Sequence, residues 1–140
     1  MTSSPYCLEI AVRFSDVDSN GHVNNQHYNS YCDEAMMNLF RTAGVDLKSL
    51  SQQGIGPVVW KAEYEYHGEL KYGDRLRIRS TVTIPKPTRG IFNHLIENAD
   101  TGQLICQARH YGLWMNRVKR RPYAFPEDVV ARLVSSTAKC

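Results

Sequence analysis

Three side chains capable of chemistry stand at alternate positions in Asp18-Ser-Asn20-Gly-His22. The surrounding stretch, Arg13-Phe-Ser-Asp-Val-Asp18-Ser-Asn20-Gly-His22-Val-Asn-Asn25-Gln-His-Tyr28, leads straight into a predicted helix. Asp18 can serve as a nucleophile or general base. His22 can serve as an acid, a base or an orienter, and Asn20 as a donor that holds a carboxylate or a water. The unpaired N–H groups of a helix start near Asn24 and Asn25 can donate to a carbonyl oxygen gaining negative charge. A base beside an oxyanion stabiliser suits acyl transfer. Asp, Asn, Gly and His are also ordinary turn and capping residues, so the spacing alone leaves the reaction open.

Periodicity gives the elements that must position this stretch. Leu8, Ile10, Val12 and Phe14 alternate with Glu9, Ala11 and Arg13, which predicts a strand over Leu8–Phe14. Ser15–Val23 is rich in Asp, Ser, Asn and Gly and reads as a loop. A helix is expected from Asn25 to Ala43. Tyr28, Cys32, Ala35, Met36, Leu39, Phe40 and Ala43 form one apolar stripe along it, with Asn24 as its cap and Gly44 as its left-handed stop. Leu47–Gln53 suggests one more helical turn. Strands follow at Val58–Tyr66, Asp74–Ile84, Ile91–Asn98 and Leu104–Asn116, and Pro126–Val134 reads as a terminal helix. The turns between strands are too short for parallel crossovers, so the sheet is expected to be antiparallel. The order implies an α+β fold, one helix on one antiparallel sheet, as a single domain over residues 1–140.

The chain has 140 residues, with 42% hydrophobic and 22% charged, a globular composition with room for one core. Its net charge of +3 is too mild to indicate a nucleic-acid partner. No apolar run approaches the roughly 20 residues of a spanning helix, so no membrane partner is expected. The first residues lack a basic start followed by an apolar stretch, so a cytoplasmic location is expected, with Cys7, Cys32, Cys106 and Cys140 as free thiols. These cysteines form no C-x-x-C pair, and no metal or cofactor is implied.

Asp16-Val-Asp18-Ser-Asn-Gly21-His22-Val-Asn-Asn25-x-x-Tyr28, followed by a long helix, resembles the hotdog-fold acyl-CoA thioesterases of the 4-hydroxybenzoyl-CoA type. It is also similar to the acyl-carrier-protein thioesterases, whose motif has the form D-x-D-x-N-x-H-V-N-N. Lys61-Ala-Glu-Tyr-Glu-Tyr66 and Tyr72-Gly-Asp-Arg-Leu76 resemble the family's second strand and the G-D-x-L start of its third. The resemblance implies a long central helix wrapped by a curved antiparallel sheet, with a site between two subunits that hydrolyses a thioester. It matches Asp18 to the catalytic aspartate of the CoA enzymes, and Asn20 and His22 to the asparagine and histidine of the carrier-protein enzymes. Asn25 matches the helix-start donor that polarises the thioester carbonyl. For the downstream acidic or cysteine residue of the carrier-protein enzymes, Glu69 is a candidate only if a short insertion is allowed. The 4-hydroxybenzoyl enzymes carry apolar or aromatic residues where Asn24 and Asn25 stand, which speaks against an aromatic acyl group. The chain is about half as long as a carrier-protein enzyme with two tandem units, and a single unit fits a homodimer or homotetramer.

Arg117, Lys119, Arg120 and Arg121 form a basic cluster after the last long strand. They suit the phosphates of a CoA substrate, or simply a solvated strand end. Asp33 and Glu34 on the helix are expected to face solvent, His67 and His110 to lie on strand surfaces, and Tyr6, Trp60 and Trp114 to be core or interface residues. Two other functions share such a groove. A hotdog hydratase or dehydratase carries D-x-N-P-x-H, with histidine five residues after the aspartate; here it is four, with no proline. A non-catalytic acyl-thioester-binding module would not need Asp18 and His22 beside the helix start.

Overall fold

The computed structural model describes residues 6–135. Along the chain come β1 (Tyr6–Ala11), a 3₁₀ turn (Phe14–Asp16), α1 (Gln26–Thr42), α2 (Leu47–Gln52), β2 (Ile55–Tyr66), β3 (Arg75–Lys86), β4 (Arg89–Asn98), β5 (Leu104–Asn116), β6 (Arg121–Pro122) and α3 (Glu127–Ser135). The strands form one antiparallel sheet in the order β1-β3-β4-β5-β2, with the short β6 paired to the end of β5. The expected α+β architecture is present, and every long strand expected from the sequence is found.

The predicted stripe explains how α1 sits on this sheet. Tyr28, Cys32, Ala35, Met36, Leu39, Phe40 and Ala43 are all buried, and Tyr31 joins them. Gly44 adopts φ +74°, so the helix ends in the left-handed conformation that glycine takes at least cost. The core divides in two under the helix. Tyr28, Tyr31, Cys32 and Ala35 pack on Leu76, Ile78, Ile96 and Ile105. Further along, Met36, Leu39 and Phe40 pack on Val82, Phe92, Trp114, Phe125 and Leu133.

Three expectations need correction. The first strand stops at Ala11, and Phe14 is 77% exposed. Val12 donates to the Asp74 carbonyl, and the Asp16 carboxylate then takes the Arg13 N–H, which curls the chain out of the ladder. His110 is fully buried, because β5 lies between β4 and β2 and its alternate residues face α1. Tyr6 and Trp114 are core residues, and Trp60, expected in the core or at an interface, is 55% exposed beside a bulge in β2. Cys32 and Cys106 are buried free thiols, whereas Cys7 is disulfide-bonded, and Cys140 lies outside the described residues. Asp33 and Glu34 face solvent as expected. No helix among the described residues is long and apolar enough to cross a membrane.

Candidate active site

The loop after the 3₁₀ turn is closed at its base by a bridge between Val17 and Val23. Inside it the Asp18 N–H donates to the His22 carbonyl, and the Gly21 N–H donates back to the Asp18 carbonyl. Gly21 makes this tight return possible with φ +84°. The Val23 N–H donates to the Leu70 carbonyl at 2.8 Å, which ties the loop to the segment following β2. That segment carries Gly68 and Glu69.

The Asp18 carboxylate is held by two donors. Oδ1 accepts from the Asn20 main-chain N–H at 2.8 Å, and Oδ2 accepts from Asn24 Nδ2 at 3.1 Å. Asn20 therefore contributes its backbone to Asp18, where the sequence suggested its side chain. Asn24 also serves the helix, since its Oδ1 accepts from the Gln26 N–H at 3.1 Å and caps α1 as expected. Asn25 already has helical angles, φ −56° and ψ −28°. Its main-chain N–H has no protein acceptor among the described residues. This is the unsatisfied donor that a helix start offers to a developing negative charge.

An open cleft of about 260 Å³ unites these groups. Asp18, Asn20, His22 and Asn25 all line it, together with Tyr66 and Glu69. His22 Nε2 lies 3.6 Å from a Glu69 carboxylate oxygen. Tyr66 packs edge-on against the buried Tyr28 at 5.4 Å. Burial pushes the Tyr28 hydroxyl up to about 12, so it stays protonated at neutral pH.

The basic cluster stands elsewhere in the chain. β2 and β5 pair so that Tyr66 meets Cys106 at one end and Ile55 meets Asn116 at the other. Eleven residue steps of strand, roughly 35 Å, separate Tyr66 at the cleft from Ile55 near Arg117. Asn116 Oδ1 accepts from the Val118 and Lys119 N–H groups, and Arg120 takes φ 54°, so the turn is tightly wound. Within one chain the fold thus brings Asp18, Asn20, His22, Asn25 and Glu69 together, and sets Arg117, Lys119, Arg120 and Arg121 apart.

Asp16 opens the D-x-D-x-N-x-H-V-N-N motif, but the sequence assigns it no role. In the fold it is 1% exposed. It accepts from the Arg13 N–H and guanidinium and from the Tyr31 hydroxyl at 2.8 Å. Burial is the largest single influence on its carboxyl and pushes its pKa up, but these donors together outweigh burial and hold it below the usual carboxylate range.

A family model described as the thioesterase-like superfamily matches residues 12–133. A 1,4-dihydroxy-2-naphthoyl-CoA hydrolase of Crocosphaera subtropica is 34% identical over 131 residues, covering 92% of this chain and 96% of that protein. The chloroplastic acyl-acyl carrier protein thioesterase ATL3 of Arabidopsis thaliana is 22% identical over 127 residues, or 91% of this chain. The chain spans 66% and 64% of the lengths of the two plant relatives it matches. Among solved structures, Slr0204, a 1,4-dihydroxy-2-naphthoyl-CoA thioesterase from Synechocystis, superposes with a TM-score of 0.86 at 20% identity. That match covers 92% of this chain and 95% of that one. The chain belongs to the thioesterase-like superfamily, and its long helix wrapped by a curved antiparallel sheet is the hotdog fold.

Proposed function

We propose that this protein hydrolyses acyl-CoA thioesters to a carboxylic acid and a free thiol, acting in the cytoplasm as a homodimer or homotetramer. One observation carries the reading. Asp18 and Asn25 line the same cleft, and the Asn25 main-chain N–H lacks a protein acceptor among the described residues. In this mechanism the thioester carbonyl accepts from that N–H as negative charge grows on its oxygen. Asp18 attacks the carbonyl carbon, or takes a proton from the water that does. The carbon–sulfur bond breaks, the thiolate takes up a proton, and one water is consumed overall. His22, with Glu69 beside it, is the group available to pass that proton.

The subunit boundary in this proposal is β2. It is an edge strand of 12 residues that carries exposed Val58, Val59 and Trp60. Such an edge invites a second strand. Two copies of β2 pairing antiparallel about their midpoint would set Ile55 of each against Tyr66 of the other. The basic turn of one copy would then stand at the cleft of the other, where Arg117, Lys119, Arg120 and Arg121 can hold the CoA phosphates.

A thiol-release assay over acyl-CoA, acyl-pantetheine and acyl-carrier-protein thioesters tests the reading. The carrier-protein arm is included because the plant relatives are thioesterases of that class. Asp18→Asn should lower turnover by about 10²–10⁴ on the best substrate, the contribution of a positioned acid or base. Near-full activity in that variant would remove Asp18 from the mechanism. A fully active monomer at micromolar concentration, seen by sedimentation, would remove the shared site.

A further inference from the structure

We propose that Asp16 is the positioning residue of the Asp18 site, fixing the loop so that Asp18 faces the helix start; this rests on the reading of Asp18 given above. A carboxylate that is 1% exposed is costly, and here Oδ2 takes every hydrogen bond while Oδ1 is met only by ion-pair contacts, so its placement two residues before Asp18 needs a reason. Its contacts reach three separate parts of the chain. On the entry side Oδ2 accepts from the Arg13 N–H at 3.1 Å and from Arg13 Nε at 3.3 Å, and Oδ1 lies 3.0 Å from the guanidinium as an ion pair. On the helix it takes the Tyr31 hydroxyl at 2.8 Å, with His27 Nδ1 at 3.7 Å. On the exit side its carbonyl accepts the Asn24 N–H at 3.0 Å.

Asn24 completes the path. Its main chain is fastened to Asp16, its Nδ2 donates to Asp18 Oδ2, and its Oδ1 caps α1 at Gln26. Asp16 therefore fixes, through one intermediate residue, both the Asp18 carboxylate and the helix start that bears the free Asn25 N–H. Charge-assisted hydrogen bonds are short and directional, so they hold a loop in one register better than apolar contacts do. Displacement of a reacting group by about 1 Å is enough to cost on the order of 10² in rate.

The test uses Asp16→Asn and Tyr31→Phe, each alone and combined with Asp18→Asn. Tyr31→Phe keeps the packed ring and removes one hydrogen bond, so it reports even where Asp16→Asn folds poorly. Asp16→Asn should lower kcat by roughly 10- to 100-fold at a temperature where circular dichroism shows it folded, with KM changed less than about twofold. Tyr31→Phe should lower kcat by about threefold to tenfold, the worth of one hydrogen bond. In the Asp18→Asn background neither change should cost anything further, because residues acting through one group are not additive. If both variants melt earlier but keep full kcat per folded molecule, Asp16 serves the fold alone and the proposal falls. Losses that multiply in the double variants also overturn it. Activity surviving Asp18→Asn by itself overturns both this proposal and the reading of Asp18, which separates the two failures.

Discussion

The two ends of α1 are held by different forces. Around its second half, Phe40 meets Trp114 at 5.4 Å and Phe92 at 5.9 Å, and Trp114 meets Phe125 at 4.7 Å, all of them buried. This end is held by apolar burial, which is strong but indifferent to small rotations. At the start of the helix, Tyr31 reaches Asp16, Asn24 spans Asp18 and Gln26, and Val23 is tied to Leu70. This end buries Tyr28, Tyr31 and Cys32 too, but it adds directional bonds that run from the buried Asp16 out to Asp18 and Asn24. Both halves of the helix bury an apolar cluster, and the directional polar bonds are concentrated at the candidate site.

The sharpest test sets one substitution against another. Phe40→Ala should lower stability by about 3–5 kcal/mol, from lost transfer energy and an unfilled cavity. Turnover per folded molecule should be unchanged. Asp18→Asn should do the reverse, losing turnover while its melting temperature stays within a few degrees. Thermal melts and kinetics on both variants would break the comparison if Phe40→Ala damaged kcat more than stability.

A pH titration probes the sheet beneath the helix. His94 is buried on β4, with Ser80 at 2.7 Å on Nδ1 and the His110 ring beside it. Burial first, and the neighbouring His110 second, draw its pKa down to about 3 from 6.5. The unfolded chain therefore binds a proton below about pH 6.5 that the folded chain refuses. Stability is fully present above that pH and should fall by about 1.4 kcal/mol per unit as the pH drops towards 3. His110 is shifted in the same direction by its burial, partly offset by Asp33. His94→Gln should flatten this slope in denaturant titrations; an unchanged slope would clear His94 of the acid sensitivity.

The smallest expected effect concerns the turn at the far end of β5. Replacing Arg120 and Arg121 with Ala should raise KM for an acyl-CoA severalfold with kcat unchanged, since binding shared by ground and transition states affects KM alone. The same change should leave a short acyl-pantetheine thioester, which lacks the nucleotide phosphates, almost untouched. Higher salt should shrink the difference. Equal losses on both substrates would mean that the turn acts through packing, like the aromatic end of α1.

The legible parts of the chain are those governed by local rules. The apolar stripe from Tyr28 to Ala43 locates the helix to within a residue at each end, because helical spacing is written in the sequence. The short turns mark the strands, and Asp18, Asn20, His22 and Asn25 stand out by type and spacing. Phe14 departs from its expected strand because an alternating pattern does not reveal where a side-chain bond will pull the chain off the sheet. His110 departs from its expected surface position because burial of a strand residue depends on which strands flank it.

By itself, then, the sequence determined the helix, the strands, the cap at Asn24 and the residue types capable of acyl transfer. Each follows from periodicity or from chemistry within a few neighbouring residues. Only the tertiary structure decided that Glu69 would stand beside His22, that Asp16 would be buried against Tyr31, and that the basic turn would lie a strand's length from Asp18. Those relations join residues 15 to about a hundred positions apart, and such distances are set by how the sheet closes around the helix, which no local pattern encodes.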